Sequence, residues 1–201
     1  MMSNSIQKVF IDSNMLIFAV DFQKNNILEW MNLLYDDIYI HIEVYNELLT
    51  SSIKKTVRSF INEKQWTLFD PSDSSYLTKA EQEIYRNRLA DVTESFQRMN
   101  LNRLKEGRPF KTVSNFGEIA TITACLMINA KVICSNDFDI RTIVTQEDFR
   151  VLIDEQDVLI KQDSAEDFCV YCYQKEIASR KSVRNFYKSI IFESQQRDSK
   201  L

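Results

Sequence analysis

The sequence predicts an α/β fold in which a mainly parallel sheet is covered by helices on both faces. Short runs rich in β-branched and aromatic residues alternate with longer segments of helical periodicity, and polar residues bound each run. Such alternation favours parallel strands joined by right-handed helical connections. The predicted strands are 8–12, 38–42, 67–69, 131–135 and 150–153, and the predicted helices between them are 26–36, 43–64, 76–99, 116–130 and 139–147.

The composition fits one main domain with an appendage. The chain has 201 residues, and 44% of them are hydrophobic, which is enough to bury a core. We expect a domain over 1–155 and a C-terminal helical extension over 156–201, with helices at about 165–178 and 182–196. The N-terminus lacks the apolar stretch of a signal peptide, and no apolar run reaches the roughly 20 residues that span a bilayer, so a cytoplasmic protein without a membrane partner is expected.

The segment 76–115 is expected to be an insertion made of one helix and one loop. Thr78 and Glu81 form a capping-box sequence at the start of the helix. Apolar residues then recur at spacings of three and four, which predicts a seam that packs on the domain; the alternative is contact with a second copy or a partner protein. Asparagines, Gly107 and Pro109 predict a loop over 100–115.

Residue types that are scarce or badly placed exclude several classes of catalyst. Only Gly107 and Gly117 are present, so a glycine-rich phosphate-binding loop is impossible. His41 is the single histidine, which leaves catalysis by a histidine-dependent triad with little support. Cys169 and Cys172 form a C-x-x-C pair, but their surroundings predict the apolar face of a helix rather than a zinc or redox site. Carboxylates and a metal ion remain as the catalytic apparatus.

Acidic residues stand beside apolar elements at four places in the chain. In parallel sheets, sites form beyond the carboxyl ends of the strands, where these acids are expected to lie. They are Asp12 at the end of the first strand, Glu43 and Glu47 on the helix after the second strand, Glu118 at the start of an apolar helix, and Asp137 and Asp139 after the fourth strand.

In order, spacing and flanking residues these motifs resemble the PIN-domain ribonucleases, a family that includes many toxins of bacterial toxin–antitoxin systems. The resemblance covers roughly residues 7–155. It is carried by Val9-Phe-Ile-Asp-Ser-Asn14, Val44-Tyr-Asn-Glu-Leu-Leu49, Asn115-Phe-Gly-Glu-Ile-Ala120 and Ser135-Asn-Asp-Phe-Asp139. It implies a three-layer α/β/α fold with a five-stranded sheet in the order 3-2-1-4-5, so that strands one and four are neighbours and their carboxyl-terminal aspartates converge.

The resemblance also implies a metal-dependent endoribonuclease that uses Mg²⁺ or Mn²⁺. Asp12, Glu118 and Asp137 would bind the metal, while Glu47 and Asp139 would position the attacking water or a second ion. Hydrolysis of a phosphodiester needs an activated water and a stabilised leaving oxygen, and a metal ion with oxygen ligands supplies both.

Several of these acids have an alternative interpretation. Glu43 lies one turn from Glu47 on the same helix face, so either could face the metal. Asn115 and Glu118 form a capping-box-like pair, which could explain the glutamate without a metal. Asp139 could cap the helix that follows it.

Asn14 and Ser135 match the small polar residues that stand beside the acids in the family. We expect Asn14 to hold Asp12 or a water molecule, and Ser135 to play a similar part beside Asp137. The alternative is that both serve only the turns after their strands.

Basic residues concentrate in two segments, although the net charge of the chain is −4. Residues 97–111 carry five basic side chains against one acid, and residues 174–201 carry seven against three. Such segments suit a surface that binds a phosphate backbone, or else are solvated helix faces. The residues expected to bind RNA are Arg103, Lys105, Arg108 and Lys111.

The resemblance further implies partners, namely RNA, a small antitoxin protein and a second copy in a homodimer. The chain departs from compact toxins by its insertion at 76–115 and by its tail after 155, which leaves the toxin role and these protein partners open. Two other functions remain alternatives. One is a structure-specific DNA endonuclease, and the other is a non-catalytic PIN-like scaffold that binds RNA or protein.

Overall fold

A five-stranded parallel sheet forms the centre of the computed structural model, which describes residues 7–64, 66–107 and 115–198. The strands are β1 (Lys8–Ile11), β2 (Asp37–His41), β3 (Thr67–Phe69), β4 (Val132–Cys134), β5 (Arg150–Ile153), β6 (Gln156–Leu159) and β7 (Lys161–Asp163). The central sheet has the order β3-β2-β1-β4-β7, and each neighbouring pair is parallel. The predicted α/β class is therefore confirmed.

Helices cover both faces of this sheet and complete a three-layer α/β/α architecture. They are α1 (Ser13–Asp21), α2 (Ile27–Leu34), α3 (Ile42–Glu47), α4 (Ser51–Glu63), α5 (Lys79–Lys105), α6 (Phe116–Ile128), α7 (Phe138–Gln146), α8 (Ala165–Gln174) and α9 (Arg180–Asp198). One core lies between the sheet and α1, α2, α4, α8 and α9, and a second core lies between the sheet and α5, α6 and α7. Because side chains alternate along a strand, Val9 and Ile11 enter the first core and Phe10 enters the second.

The last strand of the central sheet is not the one that the sequence indicates. Residues 150–153 do form a strand, but β5 pairs with β6 as an antiparallel hairpin outside the central sheet. Asp154 and Glu155 link them in a two-residue turn with φ values of 49° and 63°, as type I′ hairpins require. The central sheet instead takes β7, which lies beyond residue 155 and consists of polar residues that carry no strand signal.

Three helical predictions need correction. The segment 43–64 is two helices, α3 and α4, because the chain turns at the buried Leu48. The loop expected from residue 100 begins later, since α5 continues to Lys105 and ends before Gly107, whose φ of 74° suits glycine. Helix α1 is not predicted at all. The capping box and the packing seam of α5 are confirmed.

The C-terminal helices pack on the first core. Cys169 and Cys172 are buried free thiols on α8, which confirms their interpretation as part of an apolar helix face. Phe168 of α8 and Phe186 of α9 meet edge to face beneath this layer, with ring centroids 6.1 Å apart. Among the described helices, none has the length and apolar character that crossing a membrane would require.

Candidate active site

Strands β1 and β4 bring the first and last acidic motifs together at their carboxyl ends. Ile11 pairs with Cys134 in the parallel register, and the backbone N–H of Asp12 donates to the Cys134 carbonyl at 3.0 Å. Asp12 therefore leaves the sheet directly beside the turn that contains Ser135 and Asp137. This is the juxtaposition that the resemblance implies.

Neutral side chains hold the Asp12 carboxylate in place. The Ser135 hydroxyl donates to Asp12 Oδ2 at 2.7 Å, and Asn14 Nδ2 donates to the same oxygen at 2.5 Å. Asn14 Oδ1 accepts the backbone N–H of Asn136 at 3.0 Å, while the N–H of Asp137 donates to the Ser135 hydroxyl at 3.1 Å. Asn14 and Ser135 thus link the ends of β1 and β4, which the interpretation as turn residues alone does not explain.

The Asp12 carboxyl is buried beside other acids. Only 2% of the residue is exposed, and burial is the largest cause that raises its pKa, to about 6. The charges of Glu47 and Asp137 raise the pKa further, whereas the hydrogen bond from Ser135 lowers it. Asp12 is thus poorly stabilised as an anion by the groups around it.

Glu118 is the second carboxyl whose pKa is raised by its surroundings. Its burial raises its pKa, and the charges of Asp12, Asp137 and Glu47 add to this effect, so that the pKa reaches about 8. The capping-box interpretation is wrong, because the Asn115 side chain makes no capping hydrogen bond at the start of α6. The Asn115 half of a capping box is therefore absent, and the carboxylate of Glu118 accepts a hydrogen bond only from its own backbone at the start of α6 among the causes that act on its pKa.

Glu47 supplies the cap that Asn115 does not. Its Oε1 accepts the backbone N–H of Gly117 at 3.1 Å, and its Oε2 accepts the Ser13 hydroxyl at 2.9 Å. A Cβ atom on residue 117 would stand 2.5 Å from that Oε1, so any larger residue there would displace the Glu47 carboxylate. Glu47 thereby joins α3 to the starts of α1 and α6, next to Asp12 and Glu118.

Glu43 points to different neighbours. Its backbone N–H donates to His41 Nδ1 at 3.1 Å, and its charge helps to raise the pKa of Tyr85 after burial, the largest cause. The hydroxyl of Tyr85 lies 2.9 Å from His41 Nε2, in a buried contact where desolvation lowers the pKa of His41 to about 4. The charge of Glu47, by contrast, is among the largest causes that raise the pKa of both Asp12 and Glu118, which favours Glu47.

Asp137 and Asp139 play different structural parts. Asp137 is the N-cap of α7, since its Oδ1 accepts the backbone N–H of Asp139 at 2.9 Å. The alternative in which Asp139 caps this helix is therefore wrong. Asp139 instead accepts hydrogen bonds from both terminal nitrogens of the Arg103 guanidinium. This bidentate ion pair raises the pKa of Arg103.

The pairing of Arg103 with Asp139 bears on the four residues that are expected to bind RNA. Arg103 is directed towards the acidic cluster, by which we mean Asp12, Glu47, Glu118, Asp137 and Asp139, and its side chain is 23% exposed. Lys105 is exposed on the last turn of α5. Arg108 and Lys111 lie outside the described residues.

A second basic surface lies on α9, which we call the α9 basic face. It surrounds a surface depression of about 480 Å³. In the described part of the chain its cations form no ion pair, and the opposite side of the helix is buried in the first core. The basic residues of this face are Arg180, Lys181, Arg184 and Lys188.

Gln162 is a supporting residue that the sequence does not reveal. Its Nε2 donates to the carbonyls of Ser135 and Asp137, at 2.7 and 2.9 Å, and its Oε1 accepts the backbone N–H of Arg141 at 3.0 Å. Gln162 thus fixes the turn between β4 and α7 that carries the acids. It lies on β7, whose polar sequence gives no sign of burial.

Gly117, which donates to Glu47, is a second supporting residue. The sequence offers a signal for it, since it is one of two glycines in the chain.

The carboxylates fit a hydrated divalent cation better than a closed metal site. Among the described residues, no three acidic, cysteine or histidine side chains are grouped closely enough to hold an ion by themselves. Mg²⁺ and Mn²⁺ prefer oxygen ligands, and Mg²⁺ keeps several waters, so that one or two direct carboxylates suffice. The raised pKa values of Asp12 and Glu118 indicate a place where positive charge would be stabilised.

Together these features define an α/β protein with an acidic cluster at the carboxyl edge of a parallel sheet. No family model matches the chain, and no curated protein or solved structure matches it either. The resemblance to the PIN-domain ribonucleases therefore stays a prediction.

Proposed function

We propose that this chain is a metal-dependent endoribonuclease of the PIN-domain type that acts in the cytoplasm. The observation that carries the proposal is the convergence of four carboxylates, Asp12, Glu47, Glu118 and Asp137. They act electrostatically on one another, and the pKa values of Asp12 and Glu118 are raised. Such a cluster destabilises a fold unless a cation compensates it, which suits an enzyme that uses Mg²⁺ or Mn²⁺.

In this proposal Asp12, Glu118 and Asp137 hold the metal, either directly or through its waters. The ion would lower the pKa of a bound water and neutralise charge on the phosphate. Asn14 and Ser135 fix the Asp12 carboxylate, and Ser135 also accepts the backbone N–H of Asp137.

Glu47 has a positioning part, because it holds Gly117 at the start of the helix that carries Glu118. Asp139 is available for a second ion or a water only if Arg103 releases it.

RNA is the proposed substrate, and its phosphates would contact Lys105 and the α9 basic face. A small antitoxin and a homodimer are proposals that follow from the resemblance alone.

One observation favours a second candidate, a scaffold that binds RNA without cutting it. Arg103 already supplies a cation to Asp139, and the described acids do not form a closed metal site. A protein with this arrangement could bind RNA through its basic surfaces and leave the phosphodiester intact.

The decisive test is cleavage of an RNA panel by the full chain with Mg²⁺, with Mn²⁺ and with EDTA. We expect metal-dependent cutting that Asp12→Asn reduces by about a hundredfold to a thousandfold, as is common when a residue central to transition-state stabilisation is removed. Asp91→Asn, at an exposed position of α5, is the matched control and should cut normally. Binding without cutting would favour the scaffold, and cutting of branched DNA alone would favour a DNA endonuclease.

A further inference from the structure

Two cations converge on one aromatic ring between α3 and α4. Lys54 Nζ lies 4.9 Å from the centre of the Tyr45 ring, and the guanidinium carbon of Arg58 lies 6.0 Å from the same centre. Tyr45 is partly buried and packs against the first core, which holds its ring in place. We call these three residues, Tyr45, Lys54 and Arg58, the Tyr45 patch.

The fold does not account for the two charges of this patch. In the described part of the chain, neither Lys54 nor Arg58 forms an ion pair. They stand one turn apart on α4, where like charges repel and slightly destabilise a helix. A single cation over a ring is a common surface contact. Two cations over one ring, neither of them paired with an acid, create a place where an added anion would be stabilised.

The Tyr45 patch and the acidic cluster lie on opposite sides of α3. Tyr45 and Glu47 are two residues apart on this helix, and each residue turns it by about 100°, so their side chains leave it in nearly opposite directions. Glu47 contacts Gly117 and Ser13 at the acidic cluster. A helix with its side chains is about 10 Å across, and the phosphates of one strand follow at about 3.4 Å, so a few nucleotides would span α3.

We propose that the Tyr45 patch is a subsite that binds a backbone phosphate of the RNA, a few nucleotides away from the phosphate at the carboxylates. This inference rests on the proposed nuclease function and gives its substrate a path across α3. Lys54 and Arg58 supply the positive charge, and the guanidinium can donate two parallel hydrogen bonds to one phosphate. The Tyr45 ring holds both side chains in position before the RNA binds, which reduces the entropy lost on binding.

The position beside the carboxylates favours a phosphate backbone over an acidic protein segment as the occupant. The acids of the cluster repel any polyanion that approaches, and a metal ion compensates this repulsion only where it binds. A nuclease must nevertheless bring a polyanion to these acids, and cations at the rim of the site offset the repulsion along its path. An acidic protein segment has no comparable reason to approach the cluster.

The experiment measures binding of a labelled RNA by the full chain carrying Asp12→Asn, in Mg²⁺ and at several salt concentrations, so that binding is separated from cutting. Lys54→Gln and Arg58→Gln each remove one charge of the patch. Lys55→Gln is the matched control, because Lys55 is an exposed lysine of the same helix that lies outside the Tyr45 patch. Tyr45→Leu removes the ring and Tyr45→Phe keeps it, and urea unfolding shows whether each variant is folded.

We expect each glutamine substitution in the patch to lower the slope of log affinity against log salt concentration by about 0.7 to 0.9, and to weaken binding about fivefold or more at about 0.1 M salt. Lys55→Gln should keep the parent slope and affinity. Tyr45→Leu should weaken binding about two- to fivefold and keep the slope, since both charges remain, whereas Tyr45→Phe should bind like the parent. With the native Asp12, Lys54→Gln and Arg58→Gln should raise KM for cleavage and leave kcat unchanged, because the phosphate they bind is not the one that reacts.

Patch variants that match Lys55→Gln in slope and affinity would overturn the inference, as would the absence of any RNA binding. It would also be overturned if a labelled polyglutamate peptide, rather than RNA, lost affinity with Lys54→Gln and Arg58→Gln. The proposed nuclease function is judged separately, by cleavage. Patch-dependent RNA binding without cleavage would sustain the subsite and reject the nuclease, whereas cleavage whose KM ignores both cations would do the reverse.

Discussion

On the β1–β4 side of the acidic cluster, Asp12 is held by the neutral side chains of Asn14 and Ser135. On the α5–α7 side, Asp139 is held by the guanidinium of Arg103. The first carboxyl has a raised pKa, whereas the second is matched by a resident cation. The negative charge of the cluster is thus compensated by a resident cation only on the α5–α7 side. An added cation would stabilise the protein most on the side next to Glu118.

The largest expected effect is a pH dependence of stability that divalent ions weaken. The folded pKa of Glu118 is about 8, above its ordinary 4.5, so its contribution is complete below pH 4.5 and is lost as pH rises through 8. We expect the free energy of unfolding to fall by a few kcal/mol over this range in EDTA, since each pKa unit corresponds to about 1.4 kcal/mol. Urea unfolding at pH 5 and 8.5 measures it.

Glu118→Gln should match the native chain at low pH and exceed it in stability at pH 8.5, because glutamine resembles the protonated acid. Added Mg²⁺ should raise the stability of the native chain at pH 8.5 more than that of the variant. Glu63→Gln, at an exposed position of α4, serves as the control and should keep the native pH dependence. If the Glu118→Gln variant lost stability as steeply as the native chain when the pH rises, the Glu118 carboxyl would not be the cause. The contrast between the two sides of the cluster would then be wrong.

The next largest effect is expected for Arg103→Met, which removes the cation that pairs with Asp139. Asp139 and Arg103 are mostly buried, with side chains 10% and 23% exposed, so losing the cation leaves a carboxylate without it. We expect a loss of about 2 to 3 kcal/mol in unfolding free energy, below the range for a fully buried pair. Arg98→Met removes pairs to Glu94 and Glu147 from a side chain that is 47% exposed, and should cost less than about 1 kcal/mol.

A second readout of Arg103→Met is the affinity for Mn²⁺, measured by titration calorimetry. Since the guanidinium and a metal ion compete for Asp139, the variant should bind Mn²⁺ several-fold more tightly than the native chain. Weaker binding would mean that Arg103 supports the metal site rather than competing with it.

A smaller effect concerns Gly117→Ala, at the start of α6, where Gly117 contacts the Glu47 carboxylate. Alanine ordinarily stabilises a helix relative to glycine by up to about 1 kcal/mol. Here its Cβ would displace the Glu47 carboxylate from its hydrogen bonds to Gly117 and Ser13, so we expect a net destabilisation of about 1 kcal/mol by chemical unfolding. In a Glu47→Ala background the same substitution should become neutral or stabilising, and persistence of the full loss there would reject the steric cause.

The sequence predicts the parts of the molecule that rest on local patterns. Strands β1 and β4 and the capped start of α5 follow from apolar runs and from Thr78 with Glu81, and Asp12 is prominent because it ends such a run. Strand β7 escapes prediction because burial of Gln162 comes from contacts with Ser135 and Asp137, which are distant in sequence.

The pairing of Arg103 escapes prediction for a related reason. It depends on α5 continuing past residue 99, and on the packing of that last turn against the start of α7. Neither is encoded in a local pattern, and a cluster of basic residues next to a site otherwise suggests contact with the substrate. Local chemistry thus identifies which acids converge, while long-range packing decides which of them receives a cation.

The smallest effect extends the comparison to the phosphates of the proposed RNA substrate. Because Arg103 is engaged by Asp139, the α9 basic face is the stronger candidate for backbone contacts. Each phosphate contact with single-stranded nucleic acid adds about 0.7 to the slope of log affinity against log salt concentration. Arg184→Gln with Lys188→Gln should therefore lower that slope by about 1.4, whereas Lys55→Gln with Lys79→Gln, an equal charge change on α4 and α5, should leave it unchanged. If both pairs lower the slope equally, the effect belongs to net charge, and the α9 basic face loses its special role.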